Sequence, residues 1–195
     1  MTSEQQHSNM RLFTAFPLSV EVREYVVGVI DELAESIEGV RWTPSENLHV
    51  TLCFIGDCSW EKALEMIPWM EKAARRLPLT LTVGGVSNFL SRGSARVIWV
   101  GVHDTIGAIE EVYNVLEKGV KKCGLPREKR KYRPHITIGR AKGRFAPITS
   151  ELANRIKKND ILLKAEQIVL YKSELGGMNA VHTEIARVGS RVIGV

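Results

Sequence analysis

Apolar residues along this chain fall into short runs that read by turns as strands and as amphipathic helices. Arg11 to Phe16 reads as a strand. A helix follows from about Ser19 to Ile37, with Pro17 and Ser19 as break and cap and Gly39 beyond its end. The loop Arg41-Trp42-Thr43-Pro44-Ser45-Glu46-Asn47 leads into a strand from His49 to Ile55, closed by Gly56-Asp57. Ser59 caps a helix to Arg75 whose Lys62, Glu65 and Lys72 face water. Pro78 opens a strand over Leu79 to Val83, with Phe89 and Leu90 as its continuation past the Gly84-Gly85 break.

The order then recurs. Ala95 to Val102 reads as a strand, Asp104 caps a helix to Lys122, and a basic loop leads into a strand from His135 to Arg140. A shorter helix over Ile148 to Lys158, a strand from Ile161 to Tyr171, a Gly176-Gly177 turn and a strand from Ala180 to Arg187 follow. Each half therefore reads strand, helix, strand, helix, strand. Leu12 precedes His49 by 37 residues, and Ile98 precedes His135 by the same 37. The expected fold is α+β: two lobes related by a pseudo-twofold axis, each a mainly antiparallel sheet with helices outside, and a cleft between them. In this reading residues 1–9 are a disordered tail and residues 10–195 one bilobal domain.

Composition adds little until charge is placed. The apolar and charged fractions are those of an ordinary globular protein, and no apolar run approaches the roughly 20 residues that span a bilayer. The stretch from Met1 to Asn9 is polar, unlike a signal peptide. Three cysteines (Cys53, Cys58, Cys123) make no even disulfide framework, which favours a reducing cytoplasm. Net charge is +5, yet the window from Lys121 to Arg144 holds ten Lys and Arg against the single acid Glu128. That window is +9 and the remainder −4, so a phosphate-rich partner, most simply nucleic acid, is expected on one side.

The candidate chemistry sits inside two strands. Leu48-His49-Val50-Thr51-Leu52 and Pro134-His135-Ile136-Thr137-Ile138 each carry His-x-Thr, and alternation puts imidazole and hydroxyl on one face. Imidazole titrates near pH 6.5, so one ring can be neutral while another is protonated, and each positioned acid or base is worth about 10²–10⁴-fold. Charge building on a phosphorane needs donors, which threonine hydroxyls supply. Arg133 and Arg140 add cations able to fork onto phosphate, Arg133 standing at i−2 from His135.

The ordered set of motifs is more specific than either copy. Arg11-Leu12-Phe13-Thr14-Ala15-Phe16, Arg41-Trp42, Asn47-Leu48-His49-Val50-Thr51-Leu52 and Phe54-Ile55-Gly56 resemble the two-histidine (2H) phosphoesterases. So do Arg133-Pro134-His135-Ile136-Thr137-Ile138-Gly139-Arg140 and Leu170-Tyr171-Lys172-Ser173, and the resemblance runs from Met10 to Arg187. Within that superfamily the best match is the RNA 2′,3′-cyclic phosphodiesterase family, also called 2′-5′ RNA ligase-like. The resemblance implies that His49 and His135 are the catalytic pair and that Thr51 and Thr137 hold phosphate oxygens. The expected roles have His135 taking a proton from water while His49 protonates the departing ribose 3′-oxygen, leaving a 2′-phosphate, although the sequence alone does not assign which histidine is acid and which is base. Run backwards with a 5′-hydroxyl, the same groups would make a 2′-5′ linkage. The family needs neither metal nor nucleotide cofactor. Its substrate would be RNA with a 2′,3′-cyclic phosphate end, tRNA fragments among the candidates, met by a cytoplasmic monomer.

Several residues qualify this picture. Trp42 and Tyr132 lie in loops before the two histidine strands and are the candidates for stacking on a nucleobase, whereas Phe13 and Phe54 read as core. Cys53 stands where relatives often carry Arg, at i+4 from His49 and so expected on its face. His182 is expected to be structural. Cys53 and Cys58 have near zinc-ligand spacing, but no second pair follows, so no metal site is expected. Two other readings remain: a relative acting on a small cyclic phosphate such as ADP-ribose 1″,2″-cyclic phosphate, and a non-catalytic RNA-binding module using the basic patch.

Overall fold

A computed structural model describes residues 10–91, 94–126, 128, 130–143, 148–155, 160–176 and 179–189. The expected tail at 1–9, three of the ten basic residues in the charged window (127, 129 and 144) and the far end of the Ile148 helix lie outside the described residues. The strands are β1 (Met10–Pro17), β2 (Val40–Trp42), β3 (His49–Cys58), β4 (Leu79–Ser91), β5 (Ser94–His103), β6 (His135–Ala141), β7 (Ile161–Ala165), β8 (Gln167–Gly176) and β9 (Asn179–Gly189). The helices are α1 (Val20–Ala34), α2 (Trp60–Glu65), α3 (Ile67–Ala74), α4 (Ala108–Lys122) and α5 (Ser150–Arg155), with a 3-10 turn at Ser45–Asn47.

Local chemistry explains the element ends. Ser19 accepts from the Val22 N–H and Ser59 from the Lys62 N–H, each offsetting an otherwise unpaired donor of a first turn. The expected single helix from Ser59 to Arg75 is two, because Pro68 has no N–H to give the preceding turn and therefore starts α3 instead of continuing α2. Asp104 does cap, accepting from the Ile106 and Ile109 N–H groups, but α4 begins only at Ala108 after Gly107 turns the chain at φ 73°. The Gly84-Gly85 break is a bulge inside one continuous β4, with Gly85 at φ 69°. Likewise β3 runs through Gly56-Asp57 to Cys58.

All nine strands belong to one antiparallel sheet of order β7-β4-β5-β6-β3-β1-β8-β9, with β2 also paired to β6. The two His-x-Thr strands are neighbours at its middle, joined through the single pair Val50↔Ile136. To one side stand β1, β8 and β9, and to the other β5, β4 and β7, so the expected two lobes are the two halves of this sheet. They are not the two halves of the chain. Among the described residues β4, which follows the first motif, pairs only with β5 and β7, while β8, which follows the second, pairs with β1. The first half thus lends β4 to the opposite lobe, and the second half lends β8 and β9.

The predicted strand from Ile161 to Tyr171 is divided at Glu166, and the division reveals the sheet's shape. β7 ends at Ala165 on one edge, and β8 begins at Gln167 next to the other edge. Residues two apart are separated by at most about 7.6 Å. The sheet must therefore curl until its far ends almost meet, as a half-barrel. Leu12, Phe16, Val50, Leu52, Ile136 and Ile138 are completely or almost completely buried beneath it. α4 packs on β3 and α3, and α1 on β7.

Candidate functional site

Alternation holds where it was expected. Val50 and Ile136 are fully buried, while His49, Thr51, His135 and Thr137 are half-buried on the opposite face. Both imidazoles are fixed in the same way. His49 Nδ1 lies 2.8 Å from the carbonyl of Asn47, and His135 Nδ1 lies 2.7 Å from that of Arg133, each two residues upstream. A carbonyl only accepts, so both Nδ1 atoms carry hydrogen and both neutral rings present an unprotonated Nε2. His49 Nε2 accepts from the Thr51 hydroxyl at 3.0 Å.

Both rings are harder to protonate than an ordinary histidine. Burial, above all, pushes His49 down to about 4; the charges of His182, His135 and Arg140 act in the same direction, against the Asn47 carbonyl. His135 is also lowered, again chiefly by burial, with Arg140 and Arg130 adding to it against the Arg133 carbonyl. The free protein therefore holds two neutral imidazoles at neutral pH.

A pair of bulges decides what else reaches this face. Register between β5 and β6 slips at Ile138, so Thr137 lies opposite Trp99 but Arg140 opposite Val97. The slip reverses the alternation, and Arg140 joins His135 and Thr137. The same slip occurs in β3 at Leu52, where Thr51 opposes Ala15 and Cys53 opposes Thr14. Cys53 therefore turns inward, only 5% exposed, instead of sharing the face of His49, and burial pushes its thiol up to about 12. Phe54 takes the outward place and is 49% exposed, contrary to its expected core position. Phe54 and Arg140 each stand five residues beyond a catalytic-motif histidine.

Neither predicted stacking residue is available. The Tyr132 hydroxyl donates to the Thr51 carbonyl at 3.2 Å, and its ring is covered by Tyr113 of α4 at 4.2 Å and 2°. Its phenol is driven up by burial and serves to tie the basic loop to β3. Trp42 pairs with Gly139 and lies against it so closely that a Cβ at Gly139 would come within 2.9 Å of the indole. Both are packed against the core. Arg133 is exposed, and what it gives His135 is its carbonyl.

Other rings line the site. Phe13 stacks on His49 at 4.8 Å and on Tyr171 at 5.3 Å, although only 3% of it is exposed. His182 meets His49 edge-on at 5.5 Å. Around His135 stand Phe89 at 5.0 Å and Trp99 at 6.1 Å. Period-2 alternation could set Phe13 and Tyr171 on one face of their own strands, but only the β1–β8–β9 register brings Tyr171 and His182 beside His49. Among the described residues, no group of three His, Cys, Asp or Glu side chains gathers as a metal-binding set, and no helix is long and apolar enough to cross a membrane.

Known proteins resemble this chain in sequence and in fold. Residues 18–99 and 100–181 each match the LigT-like phosphoesterase family. The RNA 2′,3′-cyclic phosphodiesterase of Archaeoglobus fulgidus is 32% identical over 149 residues, 76% of this chain and 80% of that protein. The enzyme of the same name from Thermotoga maritima is 34% identical over 134 residues, 68% of this chain and 71% of the relative. A crystal structure of a Thermus thermophilus protein superposes with a TM-score of 0.78 at 24% identity, over 95% of this chain and all of that one.

Proposed function

The chain belongs to the LigT-like phosphoesterase family, and from that premise we propose that it hydrolyses the 2′,3′-cyclic phosphate end of RNA to a 2′-phosphate. The observation that carries this reading is the repeated hold on the two imidazoles, each locked through Nδ1 to a carbonyl two residues upstream with Nε2 left for chemistry. The names of the relatives support the substrate.

In the proposed reaction the cyclic diester lies between the two strands. His135 Nε2 takes the proton of an attacking water, and its lowered basicity keeps it neutral and ready at pH 7. His49 Nε2 gives a proton to the ribose 3′-oxygen as the phosphorus–oxygen bond breaks. His49 is neutral in the free protein, so it takes up a proton from water as the substrate binds, the negative charge of the diester offsetting the imidazolium. Thr51, Thr137 and Arg140 face the same space and donate to the phosphorane oxygens. Lys131, Arg133 and Lys142 flank the β6 strand and give the rest of the RNA a cationic approach.

The test is turnover of an oligonucleotide with a 2′,3′-cyclic end, with the product identified by position. We expect a 2′-phosphate, and loss of turnover in both His49→Ala and His135→Ala. A 3′-phosphate product, or wild-type rates in either variant, would sink the proposal.

A further inference from the structure

Of the rings gathered round His49, one can itself carry a proton. His182 belongs to β9, three strands away from β3 in the sheet order. Its ring nevertheless meets His49 at 5.5 Å and 79°, and Phe13 at 5.0 Å and 77°. Phe13 opposes Tyr171, and His182 opposes Ser173 two residues further along β8, so register puts all of these on one face. The His182 Nδ1 is buried and has no hydrogen-bond partner among the described residues. A single residue holds both imidazoles in place. Asn47 donates from Nδ2 to the carbonyl of Ala180 at 2.7 Å, two residues before His182, and its own carbonyl accepts a hydrogen bond from the His49 Nδ1–H.

We propose that His182 is a positioning residue for the acid: it forms an electrostatically coupled imidazole pair with His49 and so sets when His49 carries a proton. The inference rests on the acid–base reading above. Two cations 5.5 Å apart in an apolar setting repel strongly, so a proton on either ring makes a second on the other harder still. One anionic substrate offsets one such charge. With His182 competing for it, His49 is protonated only at lower pH than it would be alone.

No other group facing the pair replaces His182 in this role. From β6 come His135 and Arg140, which act on His49 from the far side of the cleft. From β8 comes the Tyr171 phenol, raised by burial and neutral at working pH. Further out on β9, Glu184 and Arg187 pair with each other at 2.5 Å. β1 contributes the uncharged ring of Phe13 and, two residues before it, Arg11, which pairs with Asp57 of β3 at 3.5 Å.

The pH dependence of kcat/KM tests this, because its alkaline limb follows loss of the acid's proton in the free enzyme. In His182→Gln and in His182→Phe that limb is expected to move up by about one pH unit, with the acid limb unmoved. A limb that stays put in either variant, or a rate lowered equally at every pH, overturns the proposal. Ring NMR of the full wild-type chain gives an answer that needs neither variant nor turnover. Coupled two-step titration of His49 and His182 supports the pair, and independent single-step curves overturn it. Active His49→Ala or His135→Ala enzyme would instead remove the acid–base reading while leaving the ring titration to decide the coupling.

Discussion

His49 and His135 occupy equivalent strands, yet their surroundings differ in kind. Both are locked through Nδ1 to a carbonyl two residues upstream, and both strands slip register three residues after the histidine. Around His49 the slip delivers Phe54, and Phe13, Tyr171 and His182 complete an aromatic wall. Around His135 the same slip delivers Arg140, with Lys131 and Arg133 exposed nearby. The backbone is duplicated while the electrostatics are not. Burial lowers both imidazoles most, but one then has His182 and aromatic rings as neighbours, and the other has Arg140 and Arg130 beside Phe89 and Trp99.

The comparison breaks first at the histidines. Removing either imidazole is expected to lower kcat/KM by about 10²–10⁴-fold, measured on a cyclic-ended oligonucleotide. The sharper statement concerns their unequal neighbours. Arg140→Ala should lower kcat by about 10²-fold, as loss of a donor to a developing charge does, whereas Phe54→Ala should leave kcat nearly unchanged. Phe54→Ala should instead raise KM for an oligonucleotide by about tenfold, since an exposed ring there can stack on a base. Equal effects of the two substitutions on kcat would show that the lobes do not differ as described.

Stability should carry the same asymmetry in its pH dependence. The His49 ring takes a proton at about 4 when folded, against about 6.5 in the unfolded chain, so the unfolded state binds protons first on acidification. Stability is therefore full above pH 6.5 and falls as pH drops towards 4, by up to about 1.4 kcal/mol per pH unit. Urea midpoints measured over that window should fall less steeply in His49→Asn than in the wild type. The smallest effect belongs to the loop of the basic lobe: Tyr132→Phe removes one hydrogen bond to the Thr51 carbonyl and should cost about 1 kcal/mol of stability.

The parts legible from the chain alone are those set by local periodicity. The His-x-Thr alternation, the caps at Ser19 and Ser59 and the recurrence of elements need only neighbours in sequence. What escaped depends on pairing partners. A bulge at Leu52 or Ile138 is invisible without the opposing strand, and it is the bulge that hides Cys53, exposes Phe54 and turns Arg140 into the site. Tyr132 and Trp42 resembled free aromatic surfaces because nothing nearby in sequence announces Tyr113 or Gly139 as their covers. His182 needed three strand pairings to arrive beside His49. Pro68 was readable and marks the helix break without any tertiary knowledge.

The exchange of β4 for β8 and β9 between the lobes bears on how such a molecule could have been assembled. A half-length chain ending after β4 would have no partner for that strand within itself, because among the described residues β4 pairs only with β5 and β7. Two copies could satisfy each other by trading it, so the simplest ancestor of this duplicated fold is an intertwined homodimer with two identical histidines across its axis. Fusion would have freed each copy to change separately, one towards aromatic and one towards basic surroundings. Severing the chain between β4 and β5 would return it to that condition. The fragments should be insoluble when made singly and regain turnover when co-expressed, and a soluble, monomeric N-terminal fragment would contradict this account.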